Sequence, residues 1–208
     1  MKNSLATLRN VPITTATIAS LFPKIVDTRQ KVSMLEKNGE IIRLKKGLYV
    51  VSPEISDMMI STELIANHLY APSYVSMETA LRYYGLIPEA VYLMRSMTLK
   101  QSRTFVNSFG RFEFLSTSRK SYYIGIKSGE CEGSYFQIAT PEKALCDLVA
   151  QTRGINLRYV GEAKEYLESY LRFDMDALMH FDTDILGQYA KVGKKGSSIR
   201  TIIKLIQS

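Results

Sequence analysis

Residues 41–51, IIRLKKGLYVV, constrain this chain more than any other stretch. Two β-branched runs of alternating polarity meet at Lys45, Lys46 and Gly47, and a glycine able to take positive φ can close them into an antiparallel hairpin. A two-stranded hairpin is at best marginal in water by itself, so neighbouring segments must cover its apolar face. Those segments read as helices. Leu5 and Leu8, three residues apart, suggest a short first helix ending near Asn10, Val11 and Pro12. In ITTATIASLF, Thr14 or Thr15 is the N-cap, Ile18, Leu21 and Phe22 share one face, and Pro23 ends the run. Asp27 followed three residues later by Gln30 is a capping-box pattern, which opens a third helix running to Gly39. The order helix, helix, turn, helix, hairpin is that of a winged helix-turn-helix, expected here over residues 1–54.

After Ser52, Pro53 and Glu54 the texture changes, and residues 55–208 are expected to form a larger mixed α+β domain, making the whole chain α+β. Helices are predicted over 61–70 and over 76–85, the second with Ser76 as N-cap and Gly85 as its stop. The short aromatic and β-branched segments 91–99, 111–116, 122–126 (YYIGI) and 135–139 predict a small, mainly antiparallel sheet. TPEKALCDLVAQT (140–152) then restores helical spacing, with Thr140 as cap, Pro141 at the first helical position and Ala144, Leu145, Leu148 and Val149 as the buried face. The remaining segments, 158–172, 174–181, 182–192 and 197–207, read as C-terminal helices, the last with Ile199, Ile202, Ile203 and Ile206 as its stripe.

The net charge of +7 is unevenly placed. Residues 1–52 hold nine Lys/Arg against three acids, residues 53–189 hold thirteen against seventeen, and residues 190–208 hold five against none. A basic first module, an acidic middle and a basic tail fit one module built to meet a polyanion and another with separate work. Turning about 100° per residue from Asp27 places Val32 and Leu35 together with Thr28 at their edge, facing a core. The opposite face carries Gln30, Ser33, Met34 and Lys37, flanked by Arg29 and Lys31. Such a face offers hydrogen-bonding groups for base edges and cations for phosphates. In a helix-turn-helix this helix enters the major groove while the hairpin wing lies along the backbone, which gives Arg43, Lys45 and Lys46 phosphates to neutralise. The candidate DNA-binding residues are therefore Thr28, Arg29, Gln30, Lys31, Ser33, Met34, Lys37, Arg43, Lys45 and Lys46. The tail, KVGKKGSSIRTIIKL, is either a second phosphate-contacting surface or a solubilising face on a core helix.

Other chemistry finds little support. Two cysteines and two histidines offer no metal site at recognised ligand spacing, and no glycine-rich phosphate loop is present. Asp182 and Asp184 could resemble nucleotidyltransferase carboxylates, but a Gly-Ser turn is lacking and the pair reads as a helix start. Neither His68 nor His180 has a nucleophile at recognisable spacing. No catalytic residue and no cofactor is therefore expected. Tyr83, Tyr84, Tyr122 and Tyr123 are core residues with wet hydroxyls or else parts of a recognition surface. No window is long and apolar enough for a membrane span, the start lacks the apolar core of a signal peptide, and the cysteine content suits a reducing compartment, so a cytoplasmic protein is expected.

Four segments in this order, RLKKGLYVV (43–51), SYVSMETALRYYGLIPE (73–89), FGRFEF (109–114) and IATPEKALCDL (138–148), resemble the AbiEi family of type IV antitoxins from bacterial toxin-antitoxin systems. The resemblance spans roughly residues 10–150. It implies a winged module that binds inverted repeats in its own promoter and represses the operon, and a larger domain that counters a nucleotidyltransferase-like toxin without a stable complex. Carried over by position, Arg29, Arg43, Lys45 and Lys46 fall where the family places DNA contacts. The alternatives are a stand-alone winged-helix regulator whose larger domain senses a ligand or mediates association, and, more remotely, an enzyme that modifies nucleic acid.

Overall fold

A computed structural model describes residues 4–88, 93–131 and 133–208. The architecture is mixed α+β, with eleven α-helices and two sheets among the described residues. The first part runs β1 (Ile13–Thr14), α1 (Thr15–Leu21), α2 (Thr28–Lys37), β2 (Ile41–Lys45) and β3 (Leu48–Val51). Its three strands form an antiparallel sheet in the order β1-β3-β2.

Local chemistry explains these boundaries. The Thr14 hydroxyl accepts the Thr17 N–H to open α1, and Asp27 Oδ1 accepts the Gln30 N–H at 3.0 Å to open α2. At the other end of α2, Gly39 takes φ +72, and the amides of Gly39 and Glu40 bond back to Glu36 and Leu35, a Schellman ending that satisfies two orphan carbonyls. Gly47, at φ +81, closes the hairpin. The helix expected around Leu5 and Leu8 is a single 3-10 turn, Ala6–Leu8. Its chain is redirected by Asn10, whose carboxamide donates to Met59 O and to Ser134 Oγ and so ties the segment to the larger part of the molecule.

Successive residues of a strand face opposite ways, and β3 is buried on both sides. Tyr49 and Val51 join Leu5, Ile13, Ile18, Val32, Leu35 and Ile41 in one apolar cluster. Leu48 and Val50, with Leu44 of β2, belong instead to the main core. The hairpin is thus a shared wall between the two clusters.

The larger part continues with α3 (Pro53–Ser56), α4 (Thr62–Leu69), β4 (Ser73–Val75), α5 (Met77–Tyr83), β5 (Leu93–Thr98), β6 (Arg103–Asn107), β7 (Gly110–Ser116), α6 (Arg119–Tyr122), β8 (Ile126–Cys131) and β9 (Ser134–Ala139). Five helices complete it: α7 (Pro141–Gln151), α8 (Val160–Glu165), α9 (Met175–Leu178), α10 (Thr183–Val192) and α11 (Gly196–Ile206). Its sheet has six strands in the order β6-β7-β5-β4-β9-β8. Three pairings are antiparallel and two, β4 with β9 and β5 with β7, are parallel, so the sheet is larger and more mixed than expected. Residues 91 and 92 of the first expected strand lie outside the described residues.

One expected strand is overturned. YYIGI (122–126) straddles the end of α6, because Ser118 Oγ accepts the Ser121 N–H and starts a helical turn. Gly125 then turns the chain at φ +61, where an added Cβ would sit 2.8 Å from Lys143 Cβ. The helix over 158–172 is also not uniform: α8 passes into a π turn at Tyr166–Tyr170.

Under the main sheet, α7 buries Ala144, Leu145, Leu148 and Val149 as expected, but Lys143 and Asp147 are wholly buried with them. Lys143 Nζ donates to Asp147 Oδ1 at 2.8 Å and to Ser121 O at 2.9 Å. The hydroxyls of Tyr74 and Ser76 donate to Asp147 Oδ2. Ser76 thus occupies the N-cap position of α5 without capping it through its side chain, since its hydroxyl is drawn to the carboxylate. Buried charges are tolerated when paired and hydrogen-bonded in this way.

Candidate nucleic-acid interface

The exposed side of α2 is set by what its other side buries. Val32 and Leu35 enter the core and Thr28 lies half-buried at its edge, while Arg29, Gln30, Ser33, Met34 and Lys37 are exposed. At about 100° per residue these five side chains fan over one arc of the helix. The arc contains no acid. Glu36, the next residue round, is in contact with Arg43 of β2 at 2.5 Å.

Between α2 and the hairpin lies an open groove of about 430 Å³, lined by Thr15, Arg29, Val32, Ser33, Arg43, Lys46, Gly47 and Tyr49. Three cations, Arg29, Arg43 and Lys46, border it, and all three are exposed. The Arg43 guanidinium also lies 5.8 Å from the centre of the Tyr49 ring. The positive end of the α2 dipole adds to the field on this side. Chemically, the groove suits an anionic rail beside the hydrogen-bonding surface of Gln30 and Ser33.

Two expected contacts sit elsewhere. Lys45 was expected beside Lys46 at the tip, but the strand slips register between Arg43 and Lys45, which breaks the alternation that would keep Lys45 on the side of Arg43, and its ammonium donates to Leu69 O at the end of α4 at 2.5 Å. There it lies 5.7 Å from the Phe105 ring, near Lys100 and Arg103. Burial, then repulsion from those two cations, pulls its pKa below the ordinary lysine value. Lys31 is half-buried, with its ammonium 4.5 Å above the Phe22 ring, so it braces α2 against α1 and leaves the exposed arc.

Sequence reasoning missed the cations beside Lys45. Arg103 lies 5.0 Å from the Phe105 ring and Lys100 lies 5.1 Å from that of Tyr70, which itself packs against Phe105. Only the approach of β6 to β2, fastened by Asn107 Nδ2 donating to Leu44 O, brings these residues to the hairpin, and local spacing carries no trace of it. Glu36 was legible, since it is seven residues from Arg29 and so shares its side of the helix.

The basic tail is partly committed inside the fold. Lys195 Nζ donates to Val149 O and Thr152 O at the end of α7, and Arg200 donates to Ala190 O at the end of α10. Lys191, Lys194 and Lys204 remain exposed. Among the tyrosines, Tyr84 donates to Ala139 O and Tyr83 to Glu130 O, Tyr122 packs edge-on to Tyr74, and Tyr123 is exposed. Asp182 Oδ1 accepts the Asp184 N–H and caps α10.

Among the described residues no His, Cys, Asp and Glu side chains gather as a metal site, and no helix is long and apolar enough to cross a membrane. No protein-family model matches the chain, and a search of curated proteins finds no match.

Proposed function

We propose that this protein is a DNA-binding autorepressor and antitoxin of a type IV toxin-antitoxin system, acting through an N-terminal winged helix-turn-helix. The observation that carries the DNA-binding half is the acid-free exposed arc of α2 set against a groove bordered by Arg29, Arg43 and Lys46. In this reading α2 is the recognition helix in the major groove, the hairpin is the wing, and the three cations meet phosphates on either side of the groove. Gln30 and Ser33 present hydrogen-bonding groups toward base edges, Lys37 extends the contact along the backbone, and Arg43 exchanges Glu36 for a phosphate on binding.

The antitoxin half is supported by the ordered series of motifs from RLKKGLYVV to IATPEKALCDL. The partner is then a nucleotidyltransferase-like toxin encoded beside this protein, countered without a stable complex. No catalytic group or cofactor enters this reading, in which the larger part works through recognition.

The test is binding of the full chain to duplex DNA from immediately upstream of its own gene, over a salt series. With three phosphate-facing cations the slope of log affinity against log salt is expected to be at least about 2.7 in magnitude. Binding insensitive to salt, or equally tight to unrelated duplexes, would remove the repressor role. Co-expression with the adjacent gene tests the other half: an antitoxin restores growth, whereas a stand-alone regulator leaves toxicity untouched.

A further inference from the structure

The surface around α2 exposes apolar side chains that folding does not use. Val26, immediately before the helix cap, is fully exposed, and Met34, on the exposed arc beside Gln30, is 46% exposed. Ile25 is 39% exposed. None of the three belongs to either apolar cluster or to the half-buried shell packed against them. Around them stand exposed Lys24, Arg29 and Lys37. A protein partner would have to desolvate those cations, and lysine is depleted from protein interfaces. A DNA major groove offers both things at once, with anionic walls for the cations and, on its floor, one apolar group, the C5 methyl of thymine.

We propose that Val26 and Met34 read C5 methyl groups on major-groove pyrimidines, so that the operator is selected in part by where thymines stand. This rests on the DNA-binding reading above and adds to it a named class of determinant. Met34 lies six helical steps, about 9 Å, from the start of α2, and the two steps from Val26 to that start add up to about 7 Å, so the pair is at most about 16 Å apart along the axis. At 3.4 Å per base step, the methyls they touch lie within about five base pairs of each other. Gln30, between them on the chain, is then placed to hydrogen-bond a neighbouring base edge. The same contacts would accept 5-methylcytosine, which carries its methyl at the equivalent ring position.

Replacing thymine by uracil removes only that methyl and leaves the pairing edge intact, which makes it the direct test. The full chain is titrated with its upstream duplex in an all-thymine form, an all-uracil form and a set with single uracils. Each lost methyl contact is expected to weaken binding about fourfold, the transfer free energy of one buried apolar carbon. The sensitive thymines should fall inside one window of about five base pairs. In Val26→Ser/Met34→Ser the preference for thymine over uracil should vanish, which separates a lost methyl contact from any change in DNA shape. Equal affinity of the unsubstituted protein for the two duplexes would overturn the methyl reading while leaving DNA binding intact. Absence of binding to either duplex would overturn both readings. Loss of self-association in the double variant, seen by sedimentation with the thymine preference retained, would show that a second copy of the chain covers this patch.

Discussion

Replacing Asp147 by Asn should be among the most damaging isosteric changes in this protein. The carboxylate is wholly buried and accepts from the Lys143 ammonium at 2.8 Å, the Tyr74 hydroxyl at 2.9 Å and the Ser76 hydroxyl at 2.8 Å. Asn keeps the shape but removes the charge, leaving a fully buried ammonium whose remaining partners are the Ser121 carbonyl and the faces of Tyr189 and Tyr74. Breaking a buried pair from one side costs about 3–5 kcal/mol. For a chain of this size that corresponds to a fall in melting temperature of roughly 6–20 °C. Removing both charges together, as Lys143→Met/Asp147→Leu, strands only hydroxyls and a carbonyl, at about 1–3 kcal/mol each. Three such groups come to about 6 kcal/mol at mid-range against about 8 kcal/mol for the two singles together, so the double variant should be more stable than the sum of its singles by about 2 kcal/mol. Chemical denaturation of the four proteins measures this directly. Single-variant losses that add to within about 0.5 kcal/mol would show that the two charges do not depend on each other, and the reasoning would fail.

Other perturbations address the interface and the turns. Arg29→Ala/Lys46→Ala should flatten the salt dependence of DNA binding by about 1.8 units of slope, at 0.9 per phosphate contact, and an unchanged slope in anisotropy titrations would place these cations away from the backbone. Glu36→Gln frees Arg43 from its carboxylate partner, so affinity for any duplex should rise while the salt slope, which already counts the Arg43 contact, stays the same; weaker binding would mean that the ion pair positions Arg43 for its contact. Gly125→Ala should cost more than about 2 kcal/mol, because a left-handed backbone alone costs roughly 1–2 kcal/mol in an L residue and the new methyl meets Lys143 Cβ. A full-strength melting transition in that variant would contradict the close packing of α7 against the turn.

Much of the first part was readable along the chain because its determinants are local. Asp27 and Gln30 are three residues apart, Val32 and Leu35 share a helix face by angle alone, and Gly47 is the residue a tight turn needs, so the helix, its exposed arc and the hairpin follow from short-range chemistry. The same holds for the Thr140 cap and the apolar stripe of α7. Tertiary structure decided what depends on distant neighbours. Lys45 and Lys46 are adjacent in sequence and alike in composition, yet one faces the groove and the other caps Leu69, because a register slip after Arg43 turns Lys45 off the groove side, Lys46 sits in the turn, and α4 lies on only one side. Lys143 and Asp147 stand one turn apart, a spacing that by itself says nothing of burial, and it is Tyr74, Ser76, Ser121 and Tyr189 that close over them from separate elements. Periodicity reports which face of an element is apolar, but the burial of a charge is set by the partners that arrive from elsewhere in the chain, and those are chosen only when the sheet assembles.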